Sequence, residues 1–69
     1  MLKAGTPFQW GIYPRVQSYG IILGYSPHEN PLLEGYEAFF FDSGETMVIL
    51  CDHQNKLWTP LIAEDNNND

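Results

Sequence analysis

Cysteine is almost missing from this sequence: Cys51 stands alone. No disulfide can form within the chain, and a single unpaired thiol suits a reducing compartment better than a secreted, stapled scaffold. Cations are nearly as scarce. Lys3, Arg15 and Lys56 face nine carboxylates, for a formal net charge of −6, so a phosphate backbone would meet repulsion and few groups able to displace its counterions. Long hydrophobic runs are absent too. No stretch approaches the roughly 18 apolar residues that a bilayer span requires, and residues 1–7 have no apolar run behind their one lysine, so they do not read as a signal peptide. Nor does any stretch carry the 3.6-residue period of a helix of ordinary length. These absences lead to the expectation of a soluble, cytoplasmic, all-β chain with neither nucleic acid nor membrane as its partner.

What the sequence does have is aromatic and β-branched residues in a few dense clusters. The densest spans residues 36–50, Tyr-Glu-Ala-Phe-Phe-Phe-Asp-Ser-Gly-Glu-Thr-Met-Val-Ile-Leu. Such residues fit a pleated, half-buried surface, and Asp-Ser-Gly supplies turn chemistry between two arms. The expectation is a hairpin with a three-residue loop, Gly44 taking the left-handed conformation at a G1 bulge. That loop sets Phe39 opposite Met47, Ala38 opposite Val48 and Tyr36 opposite Leu50. One face then carries Tyr36, Ala38, Phe40, Thr46, Val48 and Leu50. The other carries Glu37, Phe39, Phe41, Glu45, Met47 and Ile49. Ala38 and Val48 suit a tight interior and the glutamates suit solvent, so the second set is expected on the outside. Its exposed apolar residues make it the candidate partner-binding surface, because monomeric proteins seldom leave such a patch uncovered.

The remaining strands are shorter signals. Phe8 and Trp10 alternate on one side of a first strand. Pro14 interrupts, since it has no amide hydrogen to give a sheet. Residues 16–25 read as a long second strand whose Gly20 marks a bulge or a corner. A loop over residues 26–35 holds Pro27 and Pro31 and ends in Leu32 and Leu33, one of which is expected to close an end of the core. Residues 51–55 are polar and suit a single helical turn, and residues 56–62 form a last strand with Pro60 at an edge. At 69 residues there is room for one domain, expected over residues 1–63, with residues 64–69 a disordered acidic tail.

The order of these elements resembles the small SH3-like barrel, a group that includes Tudor-type and KOW-type modules. The resemblance rests on Ser18-Tyr19-Gly20-Ile21-Ile22-Leu23 and on residues 36–48, about two fifths of the chain. It implies a five-stranded antiparallel barrel acting as a binding module. The brevity of the chain and its asparagine-rich end also resemble small bacteriophage proteins, which implies a host or virion component as partner. KOW-type RNA binders present basic residues, of which this chain has few. Tudor-type binders of methylated side chains use an aromatic cage, for which Trp10, Tyr13, Tyr19, Tyr25, Tyr36, Phe39 and Phe41 supply material. Tyr13, Tyr25, Trp58 and Pro60 would have to serve for the proline-recognition groove of SH3 domains.

Chemistry is thin by comparison. Cys51, Asp52 and His53 stand together, but zinc takes about four ligands, and neighbours on a strand point to opposite faces. Glu34 and Glu37 flank a glycine in expected solvent. No catalytic residue, metal or cofactor is assigned. The expectation is a non-enzymatic module that binds a protein, or a second copy of itself, through Phe39, Phe41, Met47, Ile49, Glu37 and Glu45. The first alternative is an acidic inhibitor that imitates nucleic acid to a basic host protein, and the second, less favoured, is a KOW- or Tudor-type binder of nucleic acid or of a methylated peptide.

Overall fold

The computed structural model describes residues 1–62. Five strands run in chain order, β1 (Pro7–Trp10), β2 (Ser18–Ser26), β3 (Gly35–Phe40), β4 (Thr46–Leu50) and β5 (Trp58–Pro60). They form one antiparallel sheet of order β4-β3-β2-β1-β5. The all-β, five-stranded antiparallel architecture expected from the sequence is therefore the one observed. Two 3-10 turns, Pro31–Leu33 and Cys51–His53, punctuate the connections; the second is the single helical turn expected after the hairpin. Among the described residues no helix is long and apolar enough to cross a membrane. The expected tail at residues 64–69 lies outside the described residues.

One face of the sheet is the core. Phe8, Ile22, Tyr36, Ala38, Phe40, Ile49 and Trp58 are buried, with Leu2, Trp10, Tyr25 and Cys51 packed against them. Those that lie in strands occupy the alternate positions that the pleat turns inward. Phe8 is the hub: its ring meets Phe40 edge-on at 5.2 Å and Trp58 at 6.1 Å, while Tyr36 meets Trp58 at 6.0 Å. Edge-to-face packing of this kind adds about 0.5–1.5 kcal/mol per pair beyond simple burial. Two of these rings also tie in distant segments through their polar atoms. The Trp58 indole N–H donates to the Leu50 carbonyl at 3.0 Å, and the Tyr36 hydroxyl accepts from the Leu2 amide at 3.0 Å.

Gly20 is where β2 serves both neighbours, pairing with Phe8 on one side and Phe40 on the other. A Cβ here would sit 2.0 Å from the Phe39 carbonyl oxygen and 2.8 Å from the Phe8 ring. Gly20 is thus a site of close approach, and the bulge expected there falls later, between Ile22 and Gly24. Leu23 is the extra residue, and by taking it up β2 turns Tyr25 back to the inner face, opposite Tyr36. Leu32 and Leu33 also depart from expectation. Both are exposed, because Asn30 caps the Pro31–Leu33 turn by accepting from the Leu32 amide and holds it outside the sheet.

A domain of this size has a total stability of only about 3–10 kcal/mol. Phe8→Ala is expected to remove about 3–5 kcal/mol of it, and Gly20→Ala, which forces backbone apart, about 3 kcal/mol. Urea unfolding followed by tryptophan fluorescence checks both; a Gly20→Ala protein as stable as wild type would contradict the close packing described here.

Candidate functional site

The candidate surface is set by how β3 turns into β4. The Phe40 amide donates to the Glu45 carbonyl at 2.9 Å and the Gly44 amide to the Phe40 carbonyl at 2.8 Å. The loop is therefore Phe41-Asp42-Ser43-Gly44, one residue longer than expected, with Gly44 left-handed at φ 71° as expected. Two contacts shape it. The Phe41 amide donates to the Tyr19 carbonyl on β2 at 2.9 Å, and the Ser18 hydroxyl donates to Asp42 Oδ1 at 2.6 Å. The turn is held over the end of β2, and Phe41 goes into it.

One added residue changes the partner of every side chain on β4, because the pleat repeats every two residues. Tyr36 pairs with Ile49, Ala38 with Met47, Glu37 with Val48 and Phe39 with Thr46. The expected pairings, Phe39 with Met47 and Ala38 with Val48, are corrected accordingly. Ile49 is a core residue, 2% exposed, and leaves the candidate surface. Met47 shares the inner face with Ala38 and stays 48% exposed only because β4 is the last strand of the sheet. The energetic reason is plain: this register buries Ile49 beside Tyr36, whereas the expected one would turn it to solvent.

The β3 half of the expectation stands in position. Glu37 is exposed on the outer face, Phe39 is half-buried there, and Phe41 is 56% exposed at the loop. The Phe39 and Phe41 rings meet at 6.0 Å. Glu45 is exposed at the loop's end. What the sequence reading missed is the contribution of β2. Tyr19, 51% exposed, lies beside Phe41, and Ile21 pairs directly with Phe39. Exposed Leu23 at the bulge and exposed Val48 on β4 extend the patch. The signal was available, since Tyr19 and Ile21 alternate with the glycine and isoleucine that turn inward. The result is an apolar strip across β2 and β3, with Val48 on β4 beside Glu37 and diagonal to Phe39, and with the acidic residues Glu37, Asp42 and Glu45 on the same surface.

The aromatic residues do not converge on a cage. Trp10 packs on Phe40 at 5.7 Å and Tyr25 on Tyr36 at 5.7 Å, both on the inner face. Tyr13 projects from the loop after β1, and Tyr19, Phe39 and Phe41 lie outside. Cys51 sits half-buried in its 3-10 turn. Burial, reinforced by the nearby Glu34 carboxylate, raises its thiol above the usual value, which disfavours the nucleophilic thiolate. Among the described residues no three of histidine, cysteine, aspartate and glutamate gather as a metal would require. A separate apolar groove of about 500 Å³ lies between the two ends of the described chain, lined by Met1, Leu2, Pro7, Leu61 and Ile62.

The Ser18 hydroxyl holds the Asp42 carboxyl below its ordinary range. A carboxyl depressed by folding stabilises the fold above the unfolded-state pKa, and that contribution disappears as pH falls through the lower, folded value. Ser18→Ala is therefore expected to lower the melting temperature at neutral pH, and the gap from wild type should close in acid, below the usual carboxylate range. A gap that stays constant across a melting series from neutral to strongly acidic pH would contradict the Ser18–Asp42 link. Compared with protein-family models, with curated proteins and with solved structures, the chain matches none of them.

Proposed function

We propose that this protein is a non-enzymatic protein-interaction module of SH3-like barrel type, docking a protein partner through the outer face of β2, β3 and β4. The observation that carries the reading is the outer-face set of Tyr19, Leu23, Phe41 and Val48, all exposed, with half-buried Ile21 and Phe39 between them. Apolar strips of this kind, rimmed by polar residues, mark contact surfaces. Phe39 and Phe41 are the natural anchors, since aromatic residues dominate the energetic centres of interfaces. Burying one such ring contributes about 1.5–3 kcal/mol. The sheet order, with a single 3-10 turn leading into β5, supports the SH3-like part of the reading.

The rim favours a partner of opposite charge. Glu37, Asp42 and Glu45 border the strip, and the whole chain carries −6, so a basic protein surface gains attraction and a faster encounter. A host or virion component of a bacteriophage fits the composition described above. The acidic-mimic alternative differs in one respect: contact would be carried by the carboxylates alone and would dissolve in salt.

The test is Phe39→Ser with Phe41→Ser. Both rings lie outside the core, so the double variant is expected to keep its fold by circular dichroism while losing at least about tenfold in affinity for any protein that the wild type retains at moderate salt. If every retained protein stays bound at equal strength, or if all of them elute from wild type with salt alone, the apolar strip is not the docking surface.

A further inference from the structure

A sheet that is not closed on itself has two edges, and here they differ. In an antiparallel ladder, alternate residues of an end strand turn their amide and carbonyl toward the neighbouring strand, and the others turn them away. On β4 the phase is set by the Phe40 amide donating to the Glu45 carbonyl and the Cys51 amide to the Glu34 carbonyl. Glu45, Met47, Ile49 and Cys51 therefore bond to β3. The backbone groups of Thr46, Val48 and Leu50 point away from the sheet. Of these, the Leu50 carbonyl is taken by the Trp58 indole. No described strand pairs with the rest, because β4 ends the sheet.

The opposite edge is shut. The Gly11 amide donates to the Leu57 carbonyl and the Leu61 amide to the Pro7 carbonyl, so Trp58 and Pro60 are the residues of β5 that turn outward. The Trp58 carbonyl already accepts from the Asn55 amide, and Pro60 has no amide hydrogen. Proteins blunt their edges with proline, charge or bulges. β5 carries one of these devices, whereas Thr-Met-Val-Ile-Leu of β4 carries none.

Charge then selects the occupant. Thr46–Leu50 is uncharged, but Glu45 precedes it, Asp52 follows it, and Glu37 is the cross-strand neighbour of Val48. A second copy pairing antiparallel about Val48 would set Glu45 of each chain opposite Cys51 of the other, next in sequence to Asp52, so that like charges gather at both ends. An extended segment with apolar side chains at its centre and lysine or arginine at its ends meets a carboxylate at each end instead. Such a strand would also lie along Met47 on the inner face and Val48 on the outer one.

We propose that the free edge of β4 is a strand-addition site for a cation-flanked extended segment of another protein, bound through the outward backbone groups of Thr46 and Val48 and the outward amide of Leu50. Strand addition takes its affinity from main-chain hydrogen bonds and its selectivity from flanking side chains. It goes beyond the outer-face reading, since it needs the backbone of one edge and not the rings of Phe39 and Phe41.

The probe is a short synthetic peptide of alternating threonine and valine with lysine at both ends, titrated into the isotope-labelled full chain. The expected result is a set of amide shifts centred on Thr46, Val48 and Leu50, with their hydrogen exchange slowed. The glutamate-ended version is expected to bind about tenfold more weakly. Val48→Pro removes an outward amide and no internal bond, and should cost about tenfold or more in affinity. Val48→Thr keeps the amide and should bind more tightly than Val48→Pro, while Leu32→Ser, in the exposed turn away from this edge, should bind as wild type. The proposal is overturned if the Thr46 and Val48 amides are already protected from exchange in the free protein. It is equally overturned if the lysine-ended peptide produces no shifts up to its solubility limit, or if β4 pairs with a second copy in sedimentation.

Discussion

The ring of Phe8 occupies the space that a side chain at Gly20 would need, and most of the fold follows from that substitution of one residue's ring for another's Cβ. Because β2 presents only backbone at this point, the Phe39 carbonyl and the Phe8 ring can both close on it. β1 and β3 are thereby drawn against the same residue from opposite sides. Phe40 and Trp58 then meet Phe8 edge-on, and Trp58 in turn carries β5 back to β1. A chain with no disulfide and a small core depends heavily on such a hub, since the described residues gather into one buried apolar cluster.

The outer face is a by-product of the same arrangement. With Phe8, Phe40 and Trp58 committed inward, the intervening positions of β2 and β3 must face out, and there the chain places tyrosine, isoleucine and phenylalanine where charge would serve solubility better. Carboxylates at the border, Glu37, Asp42 and Glu45, offset that greasiness. The surface thus combines an apolar centre with an acidic rim, the pattern expected where binding strength comes from ring burial and orientation comes from charge.

How much of this was legible beforehand divides along physical lines. Alternation is local, so the inward set on β3, the pairing of Phe8 with Trp10 on one side and the edge position of Pro60 could all be read from residue order. The register of β4 could not, because it hangs on whether the loop takes three residues or four. The four-residue loop is the one that goes with Ser18 reaching Asp42 across 24 positions of sequence and with Ile49 buried in the core. The assignment of Met47 and Ile49 to the outer surface failed for this reason alone. Gly20 was recognised as special, but a glycine that bends a strand and one that lets a ring approach look the same in sequence. The part of β2 in the surface went unread because faces were assigned only to the hairpin.

The blunt edge at Pro60 has a consequence for what this molecule can build. Fibrous growth through sheets needs every subunit to offer one sticky margin and accept at another, so that each addition regenerates the site just consumed. Here the second margin is blunted: Pro60 has no amide hydrogen to offer and the Trp58 carbonyl is already engaged, so a strand that adds on β4 finds no matching site on the β5 side of the same sheet. Whatever lines up along this protein does so once, which lets a short, greasy strand stand uncovered without seeding an endless stack.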